Sequence, residues 1–177
     1  LRSPKNMNFE SIKGQYLLLD TNVVINFGRY HIFYAPFMEQ VVAHGITAVI
    51  NRVVHTELLA YARNEEEKQK TLELIHRILR GNESGATMPV APDLFDLALQ
   101  LAEKYRGAGI PVGQIELPDL LIGGDMIRFN KGGKLILATE NHKDFPVPVF
   151  ERIGVQVIDC NDATGVHTIG FYKLNNS

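Results

Sequence analysis

Tyr16-Leu17-Leu18-Leu19-Asp20-Thr21-Asn22 is the stretch that decides the fold. Four large apolar residues in succession read as a strand covered on both faces, as strands of parallel sheets are. The chain then delivers a carboxylate, a hydroxyl and an amide at the strand's carboxyl end. In open α/β sheets that end borders the crevice where ligands bind. Asp20 or Asn22 can equally serve as the cap of a following helix. The residues alone leave both roles open.

Outward from this strand, strand-like and helix-like runs alternate, the pattern of βαβ units. Apolar spacing predicts helices over 33–44, 53–63, 65–80, 93–105 and 119–129, the last despite Gly123-Gly124. Buried strands are expected at 46–50, 135–138 and 155–158, with 88–91 a short strand or an extended link. Residues 81–85 and the glycine- and proline-bearing 107–118 read as loops. The expectation is an α/β protein, a three-layer α/β/α single domain over residues 7–177 around a central, mostly parallel sheet. Residues 1–6 are set apart as a cloning remnant, and 160–177 reads as a C-terminal extension with no assigned place.

The 177-residue length suits one domain with a sizeable core. No apolar run is long enough to cross a bilayer, and the first fifteen residues lack a signal peptide's hydrophobic centre. A cytoplasmic protein without a membrane partner is therefore expected. The single cysteine, Cys160, excludes an internal disulfide, and with six scattered histidines no thiolate zinc site is visible. A net charge of −2 gives no global signal for nucleic acid, so any such contact falls to local cations such as Arg128, Lys131, Lys134 and Lys143.

Further acids occupy places where a carboxylate is costly. Glu57 stands at helical spacing from Val53, Val54 and Tyr61, where an ionised group needs a partner or a cation, Arg63 being the nearest ordinary candidate. Asp119 follows Pro118 at a helix start, the usual place of a cap, with Gly123 one turn on. Asp125 lies about 120° around that helix from Asp119 and is expected to pair with Arg128. Ala138-Thr139-Glu140-Asn141-His142-Lys143-Asp144-Phe145 repeats, behind the 135–138 strand, the pattern of hydroxyl, amide and acid at a strand's end.

Leu18-Leu19-Asp20-Thr21-Asn22, Glu57 in a helix, Pro118-Asp119-Leu120-Leu121-Ile122, and Ala138 through Phe145, in that order, resemble the PIN-domain family. The closest flavour is the VapC-like toxin ribonucleases of toxin–antitoxin modules. The resemblance runs from about residue 16 to 158 and implies a parallel sheet between helices that gathers acids around Mg2+ or Mn2+ to cleave RNA. Position by position, Asp20, Glu57 and Asp119 match the acidic triad. Asn141 matches a fourth position that is Asp or Asn, Asp144 the acid that often follows, and Thr139 a hydroxyl near the metal. The implied roles are Asp20 and Asp119 as direct ligands, Glu57 and Asp144 acting through water, and Thr139 holding the nucleophile. The 65–80 helix, the 107–118 loop and the segment after Cys160 make the chain larger than a compact toxin.

Such metals prefer oxygen ligands, and clustered carboxylates favour a cation by their mutual repulsion. The implied reaction is in-line attack of water on the phosphodiester, leaving a 5′-phosphate and a 3′-hydroxyl. The implied partners are RNA, a cognate antitoxin and a second subunit, with the apolar stripe Leu72, Ile75, Ile78 and Leu79 able to face either a dimer partner or the core. His55 and His142 beside the motifs show no pairing signature for metal-free ribonuclease chemistry. A haloacid-dehalogenase-type phosphatase requires a second acid where Asn22 stands, and a dinucleotide-binding turn requires glycines that the Asp20–Val24 segment lacks. An inactive PIN-like binding or scaffold module is the remaining alternative.

Overall fold

The computed structural model describes residues 6–79, 87–130, 133–161 and 165–175. Residues 1–5, the 81–85 loop and Lys131 lie outside them. In chain order the elements are β1 (Tyr16–Leu19), α1 (Thr21–Arg29), α2 (His31–Ala43), β2 (Thr47–Val49), α3 (Arg52–Ala60), α4 (Glu65–Leu79), α5 (Leu94–Gly107), α6 (Leu117–Asn130), β3 (Leu135–Thr139), β4 (Phe150–Asp159) and β5 (Val166–Leu174). Residues 88–91 form no strand; nearby, Thr87 makes an isolated bridge to Ile50.

The sheet order is β2-β1-β3-β5-β4. β1 runs parallel to β2 and β3, pairing Leu18 with Val49 and Leu137. β5 is antiparallel to both β3 and β4, so the other four strands share one direction. The expected mostly parallel sheet flanked by helices is therefore present. One placement differs: residues 166–174 are no peripheral extension, because β5 fills the gap between β3 and β4. β4 and β5 form a hairpin, with Asp159 opposite Val166, which places a reversed strand inside the sheet.

Burial explains the three layers. All five residues of β3 are buried, as are Leu17, Leu18 and Leu19 of β1, so both faces of these central strands are covered. Successive residues of β5 show what covers them. Phe171 meets Phe37 of α2 at a ring separation of 6.1 Å, whereas Tyr172 points the other way, toward Phe145 at 6.2 Å. Phe150 on that second side reaches Tyr105 of α5. α5 and α6 cross closely there: a β-carbon built at Gly124 would stand 3.1 Å from the main-chain nitrogen of Ala98, so a side chain would push the two helices apart by a few tenths of an ångström.

Most of the α4 stripe, Ile75, Ile78 and Leu79, is committed to this core. Those three are buried, and Leu72 is half-buried.

Candidate functional site

Asp20 follows β1 directly and takes up both of the roles its sequence position allows. It is the N-cap of α1, with Oδ1 accepting the Thr21 N–H at 2.7 Å. It is also buried, only 3% exposed. Its Oδ2 accepts from Asn22 Nδ2 at 2.7 Å and from Thr139 Oγ1 at 2.5 Å. Thr21 continues the chain of contacts by donating its hydroxyl to Glu57 Oε2 at 2.5 Å. α3 presents Glu57 there because Asn51 caps that helix, accepting the Val54 N–H at 2.9 Å. Arg63 takes no part; it pairs with Glu67.

The second half of the cluster comes from α6 and the segment behind β3. Thr139 Oγ1, besides donating to Asp20, accepts the Asn141 N–H at 2.9 Å. Asn141 donates its amide to Asp144 Oδ2 at 2.7 Å and reaches Asp119 Oδ2 at 3.4 Å. Tyr105, buried in α5, donates its hydroxyl to the carbonyl of Asp144 at 2.7 Å and anchors that segment from below. Glu57, Asp20, Thr139, Asn141, Asp119 and Asp144 thus form one connected network, with Thr21 completing the step from Glu57 to Asp20. All six positions singled out in the sequence are in it. The Thr139 hydroxyl joins the Asp20 carboxylate to the Asn141 main-chain amide.

The electrostatics follow from burial of like charges. Asp119 is 8% exposed, and its carboxyl is pushed up to about 7 by burial first, then by the charges of Asp20, Asp144, Glu116 and Glu57. Burial also raises the Asp20 carboxyl, against the hydrogen bonds of Thr139, Thr21 and Asn22. Glu57 is raised by burial, with the Thr21 bond opposing and the charges of Asp20 and Glu116 adding. Cations are scarce: among the described residues Asp20, Glu57 and Asp119 have no ion pair, and the exposed Lys143 stands 3.8 Å from Asp144 Oδ2. Buried carboxylates without positive partners favour either a proton or a cation.

The donor chemistry fits a hard divalent cation, since carboxylates, hydroxyls and amides offer oxygen. The spacing is looser than a closed shell. Among the described residues no three His, Cys, Asp or Glu side chains are grouped closely enough to hold an ion together.

Several residues behave otherwise than expected or carry no sequence signal. Asp125 is buried and accepts from Asn51 Nδ2 at 2.8 Å, while the expected partner Arg128 makes no close ion pair with it and acts on it only through its charge; Asp125 Oδ1 has no hydrogen-bond partner among the described residues. Arg128 is exposed and lies over the Phe129 ring. His142 Nδ1 lies 2.9 Å from Tyr172 OH, and burial lowers the pKa of both His142 and His55. Glu140 and Glu116 bear on the site although the sequence pattern assigns them no role. Glu140 could have been noticed as an acid inside the segment behind β3. Glu116, exposed before α6, had no distinguishing feature.

No protein-family model matches the chain, and no curated protein matches it. Among solved structures, the chain is similar to one in the crystal structure of VapBC2 from Rickettsia felis bound to a DNA fragment from their promoter. The TM-score is 0.57 at 22% sequence identity, covering 73% of this chain and 90% of that chain. At this identity the likeness is one of fold.

Proposed function

We propose that the protein is a Mg2+- or Mn2+-dependent ribonuclease of the PIN-domain kind, hydrolysing RNA phosphodiester bonds at the Asp20–Glu57–Asp119–Asp144 cluster. One observation carries this reading: Asp20 and Asp119 are buried near further acids, with no cationic side chain paired to either among the described residues. Structural acids seldom occupy such positions unpaired. A bound divalent ion would neutralise the carboxylates, lower the pKa of a coordinated water and stabilise charge developing on the phosphate.

The chain's own residues would prepare that chemistry. Asp20 and Asp119 are the ligands of choice, since they are buried at the strand end and the helix start that face each other across the network. Thr139 and Asn22 aim the Asp20 carboxylate, and Asn141 spans Asp119 and Asp144. Glu57, half-buried, would accept a proton from, or orient, the attacking water through its free oxygen. Lys143, exposed beside Asp144, would meet the RNA backbone. A cognate antitoxin is the proposed protein partner, because the structural neighbour is a VapBC assembly. A homodimer is proposed on the family resemblance.

The second reading, an inactive binding module, draws on Asn141, whose amide already supplies donors to two of the carboxylates. The deciding experiment is cleavage of single-stranded RNA with Mn2+, with EDTA, and by an Asp20→Asn variant. Cleavage that requires the metal and falls at least a hundredfold in the variant is expected. Equal rates in the two proteins would defeat the catalytic proposal. RNA binding without cleavage by either would favour the module.

A further inference from the structure

Glu140 stands between two members of the network, yet its carboxylate is engaged elsewhere. Tyr34 OH of α2 donates to Oε1 at 2.6 Å, and Asn26 Nδ2 of α1 lies 3.1 Å from both oxygens. His167 Nδ1 of β5 stands 3.0 Å from Oε2, and each of that pair's side chains is 16% exposed. A carboxylate so enclosed needs several donors; Tyr34 and Asn26 supply them from two elements, and the His167 ring nitrogen lies against it from a third. The same residue uses its main chain as well: the Glu140 N–H donates to Asn22 Oδ1 at 3.0 Å.

Asn22 and Asn26 are four residues apart and share one face of α1. Glu140 therefore grips α1 at two successive turns, by its amide and by its carboxylate. The upper grip leads straight to the acids, because Asn22 Nδ2 donates to Asp20 Oδ2 at 2.7 Å. Asp20 is itself the cap of α1, so any rotation or slide of that helix moves its carboxylate. Thr139, the neighbour of Glu140, closes the loop by donating to the same oxygen.

We propose that Glu140 is a positioning residue that fixes α1 against β3, α2 and β5 and, through Asn22, sets the direction of the Asp20 carboxylate. Its consequence for metal uptake rests on the ribonuclease reading; the coupling to Asn22 does not. Outer partners of metal ligands commonly change metal affinity by roughly 10- to 100-fold when removed.

The test uses the full chain with Glu140→Ala and Glu140→Gln. Three quantities are followed: the Asn22 side-chain amide resonance without metal, Mn2+ affinity by calorimetry, and thermal unfolding to confirm folding. Glu140→Ala keeps the N–H that donates to Asn22 and removes only the carboxylate grip on α1, α2 and β5, so it is expected to shift the Asn22 resonance and weaken Mn2+ binding by up to about tenfold, the lower end for a direct partner of a ligand. Glu140→Gln keeps an oxygen for Tyr34 and Asn26 and should restore most of both. An unmoved Asn22 resonance in folded Glu140→Ala overturns the proposal, as does a Gln variant no better than the Ala one. Unchanged Mn2+ affinity in Glu140→Ala overturns its functional half. Should the Ala variant fail to fold, Tyr34→Phe, which removes one donor to the Glu140 carboxylate, must move the Asn22 resonance away from its wild-type position, and no movement refutes the coupling. Should the wild-type protein take up no Mn2+, the metal reading falls while the Asn22 resonance still decides this one.

Discussion

Asp119→Asn should make the metal-free protein more heat-stable, and more so in alkaline than in acidic buffer. Burial and the neighbouring acids push the Asp119 carboxyl from its ordinary 3.8 to about 7. A carboxyl raised on folding binds its proton more tightly in the native state. Below the unfolded value both states are protonated and nothing is lost. As pH climbs from about 4 to about 7 the native protein must keep a proton or bear a buried charge, so stability falls across that window. At about 1.4 kcal/mol per pH unit, the full loss above neutrality is about 4 kcal/mol. Relaxation of neighbouring acids, and the desolvation of the new amide, should leave about half, or about 2 kcal/mol, recovered by the asparagine. For a chain of this size that is roughly 4–8 °C in melting temperature at pH 8. At pH 5 most of the native carboxyl is already protonated, and the advantage should fall by more than half. Differential scanning calorimetry of both proteins in EDTA at the two pH values measures this directly. An advantage equal at pH 5 and pH 8, or a less stable variant at pH 8, would refute the reasoning that burial, aided by the neighbouring acids, raises the Asp119 carboxyl.

The same proton gives a second prediction: a cation that displaces it should release close to one proton per Mn2+ bound at pH 6 and far fewer at pH 8.5. Calorimetry in buffers of different ionisation enthalpy reads that number, and a pH-independent release would count against Asp119 as the group displaced. Away from the metal, Asn51→Ala should cost about 2–4 kcal/mol, since it removes both the α3 cap and the donor to buried Asp125. Chemical denaturation checks it. A loss under 1 kcal/mol would show that water replaces the amide at Asp125.

The sequence was most readable where chemistry and local geometry coincide. Leu17-Leu18-Leu19 announces a strand covered on both faces because every side chain in it is apolar, and Leu135 to Ala138 does so for the same reason. Polar residues at the ends of such strands stand out against that background, which is why Asp20, Thr139, Asn141 and Asp144 could be found. β5 was harder. Its Val166–Leu174 run carries β-branched and aromatic residues, but His167, Thr168 and Lys173 confine the apolar stretch to Ile169–Tyr172, and Gly170 stands inside it. Its place between β3 and β4 depends on a hairpin that folds back over β3, and no local pattern specifies which neighbour a strand selects.

That topology also decides what Glu140 does. The residue's charge and position invite a place among the metal-facing acids, but His167 reaches it because β5 runs antiparallel beside β3, bringing Gly170 opposite Thr139. Tyr34 reaches it because α2 packs on that side of the sheet. Neither contact has a short-range signature: the partners lie 27 and 106 residues away in sequence. Asp20 teaches the converse. Cap and buried site acid look like competing assignments for one carboxylate, yet its two oxygens divide the work, Oδ1 on the α1 amide and Oδ2 on Asn22 and Thr139. A helix start held by its own cap also holds that cap's carboxylate still. Whatever steadies α1 therefore steadies the proposed metal ligand, and the two requirements cannot be separated by mutating Asp20 alone.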